Sequence, residues 1–447
     1  MMEISKRGSI AVFLTSILIS MILASMVFVH ASRSIGSASY TDAVLELAGR
    51  SALSEFDRRL KDEYGIFAFY GYEDMVASNI HFYASASFNK TIPGEHRWWL
   101  DTTTDLYRLK LQKIDVNLAS YSLMDVSVFE EQISSYMNYI IVQKGIEFIR
   151  DMQKNNVASV NDPGMFGSSG GQSDRVLRNK AEIESLPSRV NKVSNANIGA
   201  LLGFGGIPAI SELFDAGVLN VKLNEYYLSH FNNAMRQDRN KDTFFKNEIE
   251  YILYGNLSDI SNLRSFRADF VFLRGIINAI HIQADPDKRA LVQSVASVAG
   301  AGRVVAAIAI TAAWAAAEAE NDVRRLLAGQ NVALFKSKDT WALSFRNAVR
   351  TQRVRDEDGN VIDVIAEERE RVGYVTPKSK AGMSYMEYLR LFLYVQRRET
   401  KLTRAMDLIQ LNFRGSYYEE FLIKDHYTGF SLVAVVSGKK FEYEQKY

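Results

Sequence analysis

The hydropathy pattern is simplest near the start of the chain, where Ile10 to Val29 (IAVFLTSILISMILASMVFV) carries four hydroxyl side chains and no charge. A helix of that length spans ~30 Å, about the hydrocarbon thickness of a bilayer. The pattern predicts one membrane crossing. Lys6 and Arg7 stand immediately before it and only Arg33 follows closely, a basic bias that places residues 1–9 in the cytoplasm and the bulk of the chain outside. Val29 and Ala31 also have the small-residue spacing of a signal-peptidase site. The apolar run exceeds the ~7 to 15 residues of a signal core, which favours a retained anchor over a cleaved signal or a buried core helix.

The helical period continues from Ala31 to about Leu60, with Leu45, Ala48, Ala52, Phe56 and Leu60 on one stripe, and no proline interrupts it. One long helix, or two nearly continuous ones, is expected, with Gly65 as a stop. Residues 78–126 change period. HFYASASF and LYRLKLQKIDVNLASYSLM alternate apolar and polar positions, which predicts a small antiparallel sheet. Helical spacing returns over 127–153, and the Gly, Ser and Asn content of 155–195 predicts a flexible linker.

Beyond the linker, residues 196–447 read as a mainly helical domain. Asp285 before Pro286 is a helix start, and Ser384 with Glu387 has capping-box spacing ahead of SYMEYLRLFLYVQRRETKLTRAMDLIQLNFR. Val304 to Ala317 is almost wholly Ala, Val and Ile around Trp314, too short to span and so expected to be a buried core helix. A hairpin is expected near 340–375, turning at Asp358 and Gly359, and strands near the C-terminus. The fold class is therefore α+β, with helix plus antiparallel strands over 30–154.

Composition narrows function more than fold. Lys plus Arg number 53 against 52 Asp plus Glu, without long single-sign blocks, so no nucleic-acid surface is indicated. Cysteine is absent, which removes disulfides, thiolate metal sites and cysteine nucleophiles. The six histidines show no metal-binding spacing. Asp238, Asn240 and Asp242 resemble a calcium loop, but Thr243 and Ile249 replace its required Gly and Glu. Gly203, Gly205 and Gly206 lack the Lys of a phosphate loop. Glu318, Glu320 and Asp322 cluster at the spacing of an exposed helix face. These readings assign no catalytic residue, cofactor, metal or small-molecule substrate.

KRGSIAVFLTSIL, SEFDRRLKDEYGIFAF, FFKNEIEYILYG, WAAAEAENDVRRLLAG with VALFKS, and SYMEYLRLFLYV with MDLIQLN together resemble a family of Gram-positive bacterial membrane proteins encoded with tight-adherence (Tad) pilus systems. The resemblance implies a minor pilin-like or accessory component whose partners are the bilayer and other membrane proteins of the apparatus. Arg7 and Gly8 before an apolar helix also resemble a pilin leader cut after the glycine, although Phe13 stands where such leaders carry Glu. Two other expectations stand beside this one. The first is a tethered envelope-binding module using aromatics such as Tyr72, Trp98 and Trp99. The second is an extracytoplasmic hydrolase whose site is assembled from distant residues.

Overall fold

The computed structural model describes residues 3–88, 107, 109–155, 174–193, 218–238, 241–349, 353–355, 361–363 and 373–447. They form two units, residues 1–128 with 424–447, and residues 129–423. Long helices and small antiparallel sheets make up both, as the α+β expectation holds.

In the first unit, α1 (Glu3–Leu53) runs as one uninterrupted helix of 51 residues, ~76 Å at 1.5 Å per residue. Its second half follows the predicted stripe, burying Val44, Leu45, Ala48 and Ala52. It ends at Leu53 and a short helix, Arg58–Tyr64, follows, the two nearly continuous helices that the sequence allows. Asp57 caps that helix by accepting from the N–H groups of Arg59 and Leu60, and Gly65 closes it in the left-handed conformation at φ 67°.

The expected strand at HFYASASF is instead part of helix α2 (Glu73–Phe88). Val76, Ile80, Ala84 and Phe88 repeat every four residues and face the core, while Phe82 is 71% exposed. The local alternation of Phe82, Ala84 and Phe88 imitated a strand because small residues fill both faces. Glu73 and Asp74 in the first turn suit the positive end of the helix dipole.

The second segment does supply a strand, β1 (Leu111–Asn117), though shorter than predicted, and its partner is not a neighbour in sequence. It pairs antiparallel with β2 (Gly429–Val436), Val116 opposite Leu432, and β2 pairs in turn with β3 (Lys439–Lys446), Leu432 opposite Tyr443. The C-terminal strands predicted from alternation are thus real, but they complete the first unit rather than the helical region. Phe430, Leu432, Ala434 and Val436 alternate inward and meet α1 and α2 in one apolar cluster. Tyr443 on β3 donates a hydrogen bond to Asp42 on α1.

The second unit is helical. Its described elements include α3 (Val126–Asn155, which begins at the boundary), α4 (Val218–His230), α5 (Glu248–Tyr254), α6 (Asp259–Ala284), α7 (Pro286–Ala296), α8 (Arg303–Leu327), α9 (Tyr385–Val395) and α10 (Arg398–Ser416). The start signals are used as predicted. Asp285 accepts from the N–H groups of Asp287 and Lys288, and Ser384 and Glu387 form a reciprocal capping box. The long helix expected after Ser384 divides at Gln396, whose ψ of 140° is non-helical and whose amide donates to the Leu253 carbonyl at 2.7 Å. Every residue from Thr400 to Phe413 is buried, so α10 is the central helix of this unit.

Two expectations fail here. Residues 174–193 are not a free linker. They form the helical turns Lys180–Ser185 and Pro187–Val190, bury Leu177 and Leu186, and pack on α10, where the Ser188 N–H donates to Asp407 at 2.9 Å. The first arm of the hairpin expected near 340–375 begins as a helix rather than a strand. Phe345–Val349 is helical, with Phe345 packing edge-on against Trp314, while among the described residues Arg353–Arg355 pairs antiparallel with Val361–Asp363 as the hairpin reading expects. The turn at Asp358 and Gly359, the glycines at 203, 205 and 206, and Trp98 and Trp99 lie outside the described residues.

Candidate functional site

Three features carry chemistry. The first is the apolar half of α1. Ile10 and Val29 bound the predicted span, and each residue from 10 to 33, Ala31 included, is exposed. A helix bare on all sides is stable only where its surroundings are apolar. Three of its four hydroxyls are satisfied within the helix, since Thr15 donates to the Ala11 carbonyl at 3.0 Å, Ser16 to Phe13 at 2.8 Å and Ser20 to Ser16 at 2.8 Å. Such back-bonding removes the need for water at these three donors. The segment is long and apolar enough to cross a membrane, a test that a signal sequence also passes. Lys6, Arg7 and Gly8 lie within the same helix.

The second feature overturns the exposed-face reading of Glu318, Glu320 and Asp322. Only Glu320 is at the surface, where it meets Arg267 at 2.8 Å. Glu318 and Asp322 are wholly buried. Lys336, also closed to solvent, donates to Glu318 at 2.6 Å, to Asp322 at 2.7 Å and to the Thr340 carbonyl at 3.0 Å, which uses all three of its donors. Glu318 also accepts the N–H groups of Ala342 and Leu343 at 2.9 and 2.8 Å. The other Asp322 oxygen accepts from Arg274 at 3.1 to 3.2 Å, and Arg325 stands 3.5 Å from the first. With its acceptors and donors engaged internally, the cluster latches the segment 336–343 onto α8. Spacing alone could not distinguish a solvated face from this one, because the countercharge arrives from another element.

The third feature, which sequence reasoning missed, is a titratable core around α5 and α10. Glu248 accepts from the Asn232 N–H and the Asn412 amide, both at 2.7 Å, and burial pushes its pKa up to about 7. Glu250 accepts from the Ala234 N–H at 3.1 Å and from the Tyr385 hydroxyl, and burial raises it likewise to about 7. Asp407, hydrogen-bonded to Ser188 and to Tyr251 at 2.9 Å, is raised by burial to about 6. Lys401 donates to Asn220 and Asn224 at 2.7 Å and to the Leu393 carbonyl at 2.8 Å, and burial lowers it to about 7. The signal available was two glutamates two positions apart in the apolar stretch EIEYILY, a spacing that puts them on different faces of the helix.

The remaining candidates take structural roles. His230 packs between Tyr136 and Tyr226, and burial pulls its pKa down to about 3. Thr243 and Ile249, the departures from the calcium pattern, are buried. Tyr72 is 59% exposed. Among the described residues no three His, Asp or Glu side chains converge as a metal would require.

Residues 151–438 match the profile of a family of unknown function (DUF5702), and since this covers more than half of the chain, the protein belongs to that family. No curated protein and no solved structure matches the chain. The family match begins after α1 and spans nearly all of the helical unit.

Proposed function

We propose that this DUF5702 member is a non-enzymatic, membrane-anchored, extracytoplasmic component of a Tad-type pilus or secretion apparatus, acting as a minor pilin-like or accessory subunit. The observation that carries this reading is the continuity of α1. Its bare apolar half passes without a break into a half whose stripe of Val44, Leu45, Ala48 and Ala52 is built into the core of the first unit. A rigid helix shared in this way transmits position from the bilayer to the folded domain and lets subunits dock laterally in the membrane. Such a design suits an assembly component. The basic pair Lys6 and Arg7 supports an N-terminus in the cytoplasm.

Two measurements test the reading. Protease added to intact cells should digest the domain while an intracellular control survives. Cross-linking from α1 in the native host should capture membrane proteins of the Tad apparatus, and a deletion strain should lose surface pili. A domain digested only after lysis removes the orientation. Normal piliation in the deletion strain, with no cross-link to the apparatus, removes the pilus assignment and leaves only an anchored envelope protein.

A further inference from the structure

The second unit carries an apolar surface that its own core does not explain. α6 and α8 run antiparallel, matched by hydrogen bonds from Arg274 to Asp322, Asn278 to the Ala315 carbonyl and Gln283 to Thr311. α6 stops at Ala284, one residue past the last of these rungs. α8 extends eight residues further, from Thr311 back to Arg303, or ~12 Å at 1.5 Å per residue. Over that length α7 packs beside it, with Val292 and Ala296 meeting Ala307 in one cluster.

The result is a helical hairpin joined by a tight turn, Ser297–Gly302, in which Gly300 takes φ 55° and ψ −119°. Only one side of it is buried. Val298 is 89% exposed, Val304 64%, Val305 72% and Ile308 65%, and the neighbouring exposed positions Ala309, Ala312 and Ala313 are also apolar. The expectation of a fully buried core helix over Val304–Ala317 therefore holds for the Trp314 side and fails for the other. Water-facing positions of a soluble helix are ordinarily polar.

The charges indicate what covers this face. Between Asp287 and Glu318 the chain has no acid. Asp285 and Asp287 are paired with Lys288 and Lys338 at 2.8 and 2.7 Å. The charges flanking the tip are the exposed Arg289 and Arg303, both cationic. An aliphatic tip with a basic collar complements the boundary between acyl chains and anionic headgroups. It cannot span, because α7 has 11 residues, ~16 Å, against ~30 Å for a hydrocarbon core. The open backbone at the turn also needs headgroup-level water, which limits insertion to the interface.

We propose that the α7–α8 hairpin is a second membrane contact, inserting Val298, Val304, Val305 and Ile308 shallowly into an anionic lipid leaflet. The inference rests on α1 holding the chain at a bilayer, and the test separates the two. Because the chain has no cysteine, single substitutions Val298→Cys and Ser20→Cys accept an environment-sensitive fluorophore cleanly. Each full-length labelled protein is reconstituted in phosphatidylglycerol/phosphatidylcholine vesicles and challenged with spin-labelled lipid or aqueous iodide.

The proposal expects spin-labelled lipid to remove about half or more of the Val298-label signal, as a residue at the acyl boundary requires, with iodide ineffective. The effect should weaken in pure phosphatidylcholine. Adding Val304→Asp, Val305→Asp and Ile308→Asp, all at exposed positions, should return the Val298 label to water without lowering the melting temperature. An iodide-accessible Val298 label beside a lipid-quenched Ser20 label overturns the hairpin contact and leaves the anchor standing. A Val298 label shielded from both quenchers also overturns it, assigning the face to protein, either a second copy or another segment of this chain. A Ser20 label that stays in water removes the anchor reading instead.

Discussion

Lys336 and Glu318 meet at 2.6 Å with neither side chain reaching solvent, and this contact turns what reads as a solvated acidic helix face into the inner wall of the helical unit. The lysine brings with it the turn that carries Thr340, and the glutamate in return accepts the backbone of Ala342 and Leu343.

Removing the cation from this pair should therefore be costly. Lys336→Met leaves Glu318 and Asp322 buried beside Arg274 and Arg325 but strips a donor from each, and breaking a buried pair typically costs about 3–5 kcal/mol. Urea unfolding of the detergent-solubilised chain measures it. A loss below about 0.5 kcal/mol, the range of ordinary surface substitutions, would mean that the latch is not holding 336–343 in place.

The raised glutamates predict an unusual acid-side profile. Between pH 4.5, the ordinary glutamate value, and about 7, the unfolded chain has released the protons of Glu248 and Glu250 while the folded chain still holds them. The native state binds more protons in that window, so their contribution to stability is full below it, falls as pH rises through it, and is flat above it. Glu250→Gln cannot ionise. The stability of that variant relative to the parent should improve by about 1–3 kcal/mol between pH 5 and pH 8. A difference independent of pH would show that Glu250 is ionised throughout. Lys401, lowered to about 7, acts in the opposite sense above neutrality, where Lys401→Met should remove a rise in stability.

Gly382 tests close packing rather than charge. It stands beside the paired residues Val332 and Met383, which exchange two backbone hydrogen bonds of 2.9 Å, and a Cβ there would overlap the Val332 carbonyl carbon and the Ala333 nitrogen. Its φ of 150° is also strained for any other residue. Gly382→Ala should cost about 1–3 kcal/mol or more, visible as a lower melting temperature. An unchanged melt would mean that the 332–383 bridge opens at no cost.

The anchor reading makes a prediction about the mature N-terminus. Cleavage after Gly8 leaves Ser9 first and cleavage after Ala31 leaves Ser32 first. Both positions lie inside the continuous helix α1. Mass spectrometry of the membrane fraction should find the N-terminal peptide uncut, and the protein should resist alkaline extraction. A Ser32 start with release from membranes would identify a secretory signal instead.

Several elements stabilised by residues a turn away were announced by the sequence. The apolar run of α1, the left-handed stop at Gly65, the Asp285–Pro286 start and the Ser384–Glu387 box all stand as read, because hydropathy and end-capping hydrogen bonds are satisfied within a few residues of chain. The C-terminal strands were legible for the same reason, through alternation. Their partner was not. β2 pairs with a strand more than 300 positions earlier, and nothing local to either segment specifies that register. The Glu73–Phe88 helix was misread where small residues blurred a period of four into a period of two.

Burial of charge was the other decision reserved for the tertiary structure. Glu318 and Asp322 are inside because Lys336, Arg274 and Arg325 come from other turns and other elements to meet them, and Glu248 and Glu250 are inside because Asn232, Ala234, Asn412 and Tyr385 supply their hydrogen bonds. An ionisable side chain settles in a core only when distant donors replace its water. Sequence fixes which residues can ionise, and packing decides where they do so.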